Sequence, residues 1–597
     1  MVKDIKESIE TVVLEWLRNA GVEDPVVVLD ESSLSDFGEF SCNVAMRYAK
    51  QVKQNPFDIA TRLASHLNER AIAGVEKVEA VQPGFVNFYL TAEAKVQHAL
   101  GIIELGENFG ANTTQAGVNW VVEHSSPNPN KAMHVGHLRN SLVGMSLVRL
   151  LKASGAKVVA DGVYNNRGIA IAKNMYGYLA HMKKNPEAPT DIGYWAEHQD
   201  EWLLPEDKNV RPDLFVTECY VLAEKDFSND PEVEAFTRQM VIDWESNDKN
   251  TWLLWERVLQ FAYDGIDQTL GRIGSHWDFV WYEHEHYEDG KNYVQKGLDN
   301  NLFQQIEDGA ILTDLEDKYG LSDTVLLKND GTALYMTQDI ALTDLKKKKY
   351  QADKLVWVVG PDQTLHMRQL FAVCEQLEIG DRKDFSHIAY GYVGLKDENG
   401  SFKKMSSRAG TVLFADEVID EVKRSVAERF SESKRADLAN ETELAEKLAL
   451  AAVKFAFLKS DSKLDVAFDI EESVDVQGDS GMYVMYTYVR TQSILRKAGA
   501  AGAGLPTPPS SLGQEADLLR TLLYFEQSVL DSVKDLSIHH VSQYLLALCH
   551  EFNSWYAKEA ILDGSDNESY KLALVQAVAI TLKNGFGLIG VETVDEM

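Results

Sequence analysis

Between Val118 and Ala153 the chain changes rhythm twice. Val118 to Val122 is a short, β-branched apolar run with the character of a strand. A Ser/Pro/Asn loop follows, and from His134 to about Ala153 apolar residues return at helical spacing, with Leu138, Leu142, Met145 and Leu150 on one side. Lys157 to Val163 reads as a second strand, Leu355 to Val359 as a later buried one, and HIAYGYVGL as another. Strands that alternate with helices predict an open parallel sheet, whose ligands gather beyond the carboxyl ends of its strands.

The flanks follow other rhythms. In residues 1–112, Ile5, Ile9, Val12 and Trp16 form a helical stripe, and Val26 to Leu29 reads as a short strand. There 41–69 reads as two helices broken at Pro56, and 75–90 as two strands about a Pro-Gly turn. Within 113–409, the Trp-rich, acidic stretch 183–260 reads as a helical insertion over the site. Residues 311–340 hold a hairpin-like string that turns at Asp330-Gly331, and Lys346 to Lys349 on the next helix read as a solvated face or one turned to RNA phosphates. Residues 410–477 form a charged helical stem, and 478–597 are nearly all helix around a low-complexity loop at 498–513. The expected fold class is α/β, a parallel-sheet domain between an α+β N-terminal domain and an all-α C-terminal domain.

Composition narrows the function. At 597 residues the chain needs several cores. Fifty-nine basic against 92 acidic residues give a formal charge of −33, so any nucleic-acid partner must use local basic patches and bind less tightly as salt rises. Four scattered cysteines, with no CxxC pair, argue against a zinc knuckle or disulfide framework and for a reducing cytoplasm. The N-terminus lacks a signal-type apolar core, and no run of 18 apolar residues occurs, so neither export nor a membrane is expected.

Candidate chemistry concentrates at the start of the long helix. His134 and His137 lie three apart on its first turn, where unpaired N–H groups and a positive dipole end suit a phosphate. Gly136, without a Cβ, lets a flat ligand such as a nucleobase approach the backbone. Alone, these histidines read equally as caps or core residues. His284 and His286 in WYEHEHYEDG alternate faces if this is a strand, and no third ligand is in view, so no metal site is expected there.

The string EHSSPNPNKAMHVGHLRN resembles the nucleotide-binding signature of class I aminoacyl-tRNA synthetases, and in detail that of the arginyl-tRNA synthetase family. The likeness continues in family order through FGEFSCNVA, PGFVNFYL, VGPDQTLHMRQLF, FKKMSSRAGTV, YTYVRTQSILRKAG, HHVSQYLLALCHEFNSWY and GLIGVETVDEM. It implies a Rossmann-type catalytic domain, an N-terminal domain on the tRNA elbow, and a helical anticodon-binding domain. The activity implied is activation of L-arginine with ATP and Mg2+, then transfer to the tRNA for arginine, by a cytoplasmic monomer without bound zinc.

Residue by residue, the resemblance places ATP at Asn128, His134, Gly136, His137, Gly360, Asp362, His366, Lys404, Met405 and Ser406, with the carboxylate of Asp362 on the ribose. It places arginine among Glu123, Ser126, Asn128, His134, Tyr335, Asp339 and Gln363. A guanidinium needs planar carboxylate acceptors and a ring to stack on, which Glu123, Asp339 and Tyr335 supply. Lys131, His134, His137 and Lys404 would meet the charge of the reacting phosphates. Three departures stand out. Asn166 stands where an acid is usual, Gln338 where a base is common, and Ser407 replaces the second signature lysine, a loss that Lys131 can offset.

For tRNA, Asn87 and Tyr89 on the last N-terminal strand are candidates, as are Tyr486, Arg490 and Lys497, which share one helical face with Tyr483. Three other readings remain open on the sequence. A small nucleotidyltransferase would also carry HxGH, but is usually far shorter. An inactive tRNA-binding paralogue would not need the intact His134, Gly136, His137 and Lys404. Another class I synthetase, such as the cysteinyl or glutamyl enzyme, fits less well, since the cysteinyl enzyme needs zinc-ligand cysteines and the N-terminal domain suits arginine best.

Overall fold

Five strands of the computed structural model run parallel: β1 (Asn119–Glu123), β2 (Lys157–Tyr164), β3 (Phe279–Tyr282), β4 (Lys354–Val359) and β5 (Phe385–Ala389). They lie side by side in the order β5-β4-β1-β2-β3. The structure describes residues 2–32, 35–396, 402–404, 413–432, 442–499 and 512–597. Val121, Val122, Val356 and Val358 are at most 1% exposed, because helices cover both faces, and so these strands read as unbroken apolar runs. Helix α1 (Val135–Ala153) returns the chain from β1 to β2, while β4 lies on the other side of β1. At that reversal the loops part, and a crevice opens beyond the carboxyl ends of β1 and β4.

Helix α1 is buried along most of its length. It lies close to the loop after β1 only because residue 144 is glycine. A Cβ there would come within 2.3 Å of the His124 Cβ. One apolar cluster runs from Val143 on α1 through Val418 and Leu448 of the stem to Met485, Leu545 and Val578 of the C-terminal helices. The stem is therefore part of the central core. It also contains a strand that periodicity did not announce, Val466–Phe468, parallel to Val393–Lys396, which pairs in turn with Phe402–Lys404. Three residues are too few to show an alternation.

The insertion has its own core, from Ile171 to Ala262, which begins ahead of residue 183. Helix Ile169–His181, directly after β2, turns Ile171, Met175 and Leu179 towards the insertion. In the N-terminal domain, the helices Val44–Val52 and Pro56–Arg70 and the strands Val75–Val81 and Phe85–Leu90 fall where the pattern placed them. Val26 to Leu29 is not a strand. The Val26 N–H donates to Tyr48 Oη at 2.7 Å instead of to a ladder, and only Asp30–Glu31 pairs, with Phe40 and Ser41. This domain docks on the C-terminal one: Leu523 joins its core, Tyr524 Oη donates to the Glu39 carbonyl at 3.0 Å, and His98 Nε2 meets the Leu522 carbonyl at 3.2 Å. Helix Glu568–Ile589, with mean hydropathy 1.6, is long and apolar enough to cross a membrane, but it packs in the shared core with 61% of that window buried.

Two stability outcomes follow from this packing. Gly144→Ala is expected to destabilise the protein by about 2–3 kcal/mol, read as a lower Tm in calorimetry. Burial pulls the pKa of His98 down to about 4, so the unfolded chain takes up a proton before the folded one does. Its contribution is complete above about pH 6.5 and is lost as pH falls towards 4; Tm should decline across that window, and less so in His98→Asn.

Candidate active site

The turn between β1 and α1 is built from its own side chains. His134 caps α1, its Nδ1 accepting the N–H groups of Gly136 at 3.0 Å and His137 at 3.4 Å, while His137 Nδ1 accepts the His134 N–H at 3.2 Å. The two rings stack at 3.8 Å. An Nδ1 that accepts a hydrogen bond carries no proton, so each neutral imidazole has its proton on Nε2. Burial is the main cause that lowers both pKa values, with the Lys131 ammonium adding for His134. One expectation changes here. The first-turn amides are already paired, with Val135 N–H on the Leu413 carbonyl at 3.1 Å, so an anion would meet imidazole N–H groups rather than bare backbone. Gly136 is roofed by the His134 ring, which a Cβ would approach to 2.8 Å, so its small size makes room for the cap.

The loop before this turn is pinned from both sides. Ser125 sits at φ 65°, and its N–H donates to Asn140 Oδ1 at 2.7 Å. Asn140 Nδ2 donates to the Val358 carbonyl at 2.7 Å, tying β1's exit to β4. Lys131 lies with its ammonium 4.2 Å from the centre of the Tyr220 ring in the insertion, and burial lowers its pKa. The signature segment after β5 begins from Phe402–Lys404 and returns beside His134, which bridges to Phe414. Met405 and Ser406 lie outside the described residues, and of Lys404 only the backbone strand is described.

Beside the turn, a cavity of about 430 Å³ opens between β1, β4 and helix α2 (Tyr335–Tyr350). Glu123, Ser126 and Asn128 line it from the first strand and loop, and Tyr335 and Asp339 from α2. Asp362, Gln363 and His366 line it from the loop after β4 and from helix α3 (Thr364–Gln376). Glu123 and Asp339, far apart in sequence, thus face one space. Asp339 Oδ2 is 2.6 Å from His366 Nε2, and Asp362 accepts the Tyr392 hydroxyl. Tyr335 is 70% exposed at the mouth, and a Cβ at Gly360 would meet open space. His134, Gly136 and His137 are not among the cavity walls.

Sequence reasoning missed Asn165, Thr343, Lys346 and Trp357, which also line the cavity. Lys346 had a signal. Tyr335, Asp339, Leu342 and Lys346 recur at helical spacing, so the face that carries Tyr335 and Asp339 also carries Lys346. The lysine run concealed it. Lys346 is 1% exposed, while Lys349 lies 3.0 Å over the Phe279 ring and Lys348 pairs with Asp344, so the run is not one solvated face.

The departures have local reasons. Asn166 is fully buried, donating to Tyr263 Oη at 3.0 Å and to His284 Nδ1 at 2.9 Å, while its carbonyl accepts the Trp255 indole. An acid there would lose those donor contacts. Gln338 bonds Glu283, whose pKa burial raises to about 7. The stretch that carries His284 and His286 is a short helix, Glu283–His286, directly after β3. Among the described residues no three His, Cys or carboxylate groups cluster as a metal site.

The RNA candidates divide. Asn87 is 2% exposed and accepts the Ser41 hydroxyl at 2.7 Å, so neighbouring strands cover it and it presents nothing to a partner. Tyr89 is partly exposed, with the Lys77 ammonium 4.1 Å over its ring. In the C-terminal domain the Arg490 guanidinium stands 4.8 Å from the Tyr486 ring and 5.1 Å from that of Tyr556, with Lys497 exposed on the same helix.

Comparison with known proteins covers the whole chain. The family described as tRNA synthetases class I (R), catalytic domain, matches residues 103–168 and 192–470. The DALR anticodon binding domain matches 484–597, and the Arginyl tRNA synthetase N terminal domain matches 2–90. The arginine–tRNA ligase of Porphyromonas gingivalis is 32% identical over 584 residues, 93% of each chain. That of Treponema denticola is 33% identical over 560 residues, 91% of this chain and 90% of that one. In fold, the Thermus thermophilus arginyl-tRNA synthetase matches with a TM-score of 0.80 at 24% identity, over 99% of this chain and 100% of that one. The Plasmodium falciparum enzyme matches at 0.81 and 18% identity, over 99% of each.

The cap geometry can be checked in solution. In an NMR titration, His134 and His137 are expected to stay neutral to lower pH than free imidazole. His134→Ala should cost about 1 kcal/mol of stability through the lost cap.

Proposed function

We propose, from the premise that this chain belongs to the arginyl-tRNA synthetase family and is an arginine–tRNA ligase, that the cavity between β1, β4 and α2 receives arginine and that the His134 turn beside it receives the ATP phosphates. The observation that carries this reading is the meeting of Glu123 and Asp339, with the Tyr335 ring, on one cavity of substrate size. Two carboxylates on separate elements offer a planar cation bidentate acceptors, and an exposed ring offers it a face.

Activation is an in-line attack of the arginine carboxylate on the α-phosphorus of ATP, with pyrophosphate leaving. Both reactants are anionic, so the protein's work is positioning and charge neutralisation. The Nε2–H groups of His134 and His137 are neutral donors already fixed by the cap, so they stabilise charge as it develops without first reorganising. Lys131 and Lys404 supply the mobile positive charge, and Lys131 leaves the Tyr220 ring to do so. Asp362, at the carboxyl end of β4, takes the ribose hydroxyls. Mg2+ would be held through the phosphates of the triphosphate rather than by a protein cage, and would supply further charge neutralisation there.

For tRNA, Tyr486, Arg490 and Lys497 form the stacking and phosphate-binding face of residues 478–597, and Tyr89 the contact of residues 1–112 with the elbow. The enzyme works in the cytoplasm away from membranes, a reading supported by four buried, unpaired cysteines and by the packing of helix Glu568–Ile589, and as a monomer, which the family resemblance implies.

Pyrophosphate release measured with each amino acid, with and without tRNA, tests the assignment: arginine alone should support it. Asp339→Asn should raise the arginine KM by about 10²-fold, the scale of a lost charged hydrogen bond, with little change in the ATP KM. His134→Asn should lower kcat by about 10²- to 10³-fold. Arg490→Ala should raise the tRNA KM and flatten its salt dependence, leaving tRNA-independent steps untouched.

A further inference from the structure

Lys346 lies where the cavity meets the sheet. Its ammonium is 2.6 Å from Glu123 Oε2 and 3.1 Å from each oxygen of Asp161. Glu123 and Asp161 are register partners on β1 and β2, two carboxylates placed directly across neighbouring strands. Such a pair repels unless a cation bridges it. Asp161 is fully buried, accepts the Trp281 indole at 2.9 Å, and is not on the cavity wall. Glu123 Oε1 is the oxygen left over. It accepts the Ser126 hydroxyl at 2.9 Å, and Ser126 in turn accepts the Val163 N–H at 3.1 Å.

The charges do not cancel. A bridge serving only to tie strands would do as well if neutral, or if replaced by packed apolar groups. Here one ammonium serves two carboxylates, and the excess negative charge comes to the cavity through Glu123. We infer that Lys346 is a positioning residue for arginine, holding Glu123 ionised with Oε1 towards the substrate, and that Asp161 sets, without touching the ligand, the net charge the guanidinium meets. This rests on the reading of the cavity as the arginine site. Without Lys346, one proton would be shared by Glu123 and Asp161, since like charges in a buried site resist joint ionisation. The other titratable groups facing the triad are the phenol of Tyr350 on α2, near Asp161, and, across the cavity, Tyr335, Asp362 and Asp339, the last paired with His366.

The test measures kcat and KM for arginine and for ATP between about pH 6 and 8.5 in the presence of tRNA, for the wild type, Glu123→Gln, Lys346→Met, Lys346→Arg and Asp161→Asn. In Lys346→Met the acid limb of kcat/KM for arginine should move towards neutral pH, so that the deficit is ~10-fold larger at the acid end than at the alkaline end, and Lys346→Arg should restore the limb. Asp161→Asn, a near-isosteric change away from the substrate, should raise the arginine KM ~10-fold and leave the ATP KM within about twofold. A Lys346→Met enzyme with the wild-type limb, or an Asp161→Asn enzyme with the wild-type arginine KM, overturns the inference. If Lys346→Met does not fold, Asp161→Asn decides. If Glu123→Gln leaves the arginine KM unchanged, the cavity reading itself fails; if it raises that KM while Asp161→Asn does not, only the role of the triad fails.

Discussion

Where a parallel sheet reverses its strand order, the backbone at the parting strand ends loses its ladder partners, and here one carboxamide satisfies both sides. Asn140, on α1, accepts the Ser125 N–H and donates to the Val358 carbonyl, each at 2.7 Å. The crevice therefore has a fixed width. Its β1 rim carries Glu123 and Ser126 and its β4 rim leads to Asp362 and Gln363, so these side chains line one cavity from both rims. Gly144 serves the same constraint, since only a residue without a Cβ lets α1 lie against His124.

The site's charges are managed locally within an acidic protein. The two imidazoles are kept neutral by burial and use their Nδ1 atoms to cap α1, leaving Nε2–H as the donor face. Lys131 rests on an aromatic ring of the insertion, while Asp339 holds His366 and Glu123 holds Lys346. Arg139, buried on α1, donates to the carbonyls of Gly391, Tyr392, Ser462 and Leu464, and so joins the helix that His134 caps to the stem and the small sheet that leads to Lys404.

The continuous apolar core from α1 through the stem into the C-terminal helices gives a rigid path between the site and the face of Tyr486 and Arg490. The N-terminal domain is joined to the same helices by Leu523, Tyr524 and His98. The N-terminal, catalytic and C-terminal parts are thus carried on one packed body.

The β1-α1-β2 unit, β4 and the long C-terminal helices were legible in the sequence because strand and helix periodicity is local, and a run of five or more residues records which faces are buried. The family was legible because the signature strings lie in family order along the whole chain. What the sequence could not decide was set by partners distant along the chain. Lys346 reads as one of four lysines until β1 and β2 bring two carboxylates to it, and Asn87 reads as an exposed polar residue until flanking strands cover it. Gly136 reads as open backbone until the His134 ring folds over it, and Val26 to Leu29 reads as a strand until Tyr48 takes its hydrogen bond. Periodicity tells which side of an element is buried; what it is buried against, and with what charge, is fixed only when the elements pack.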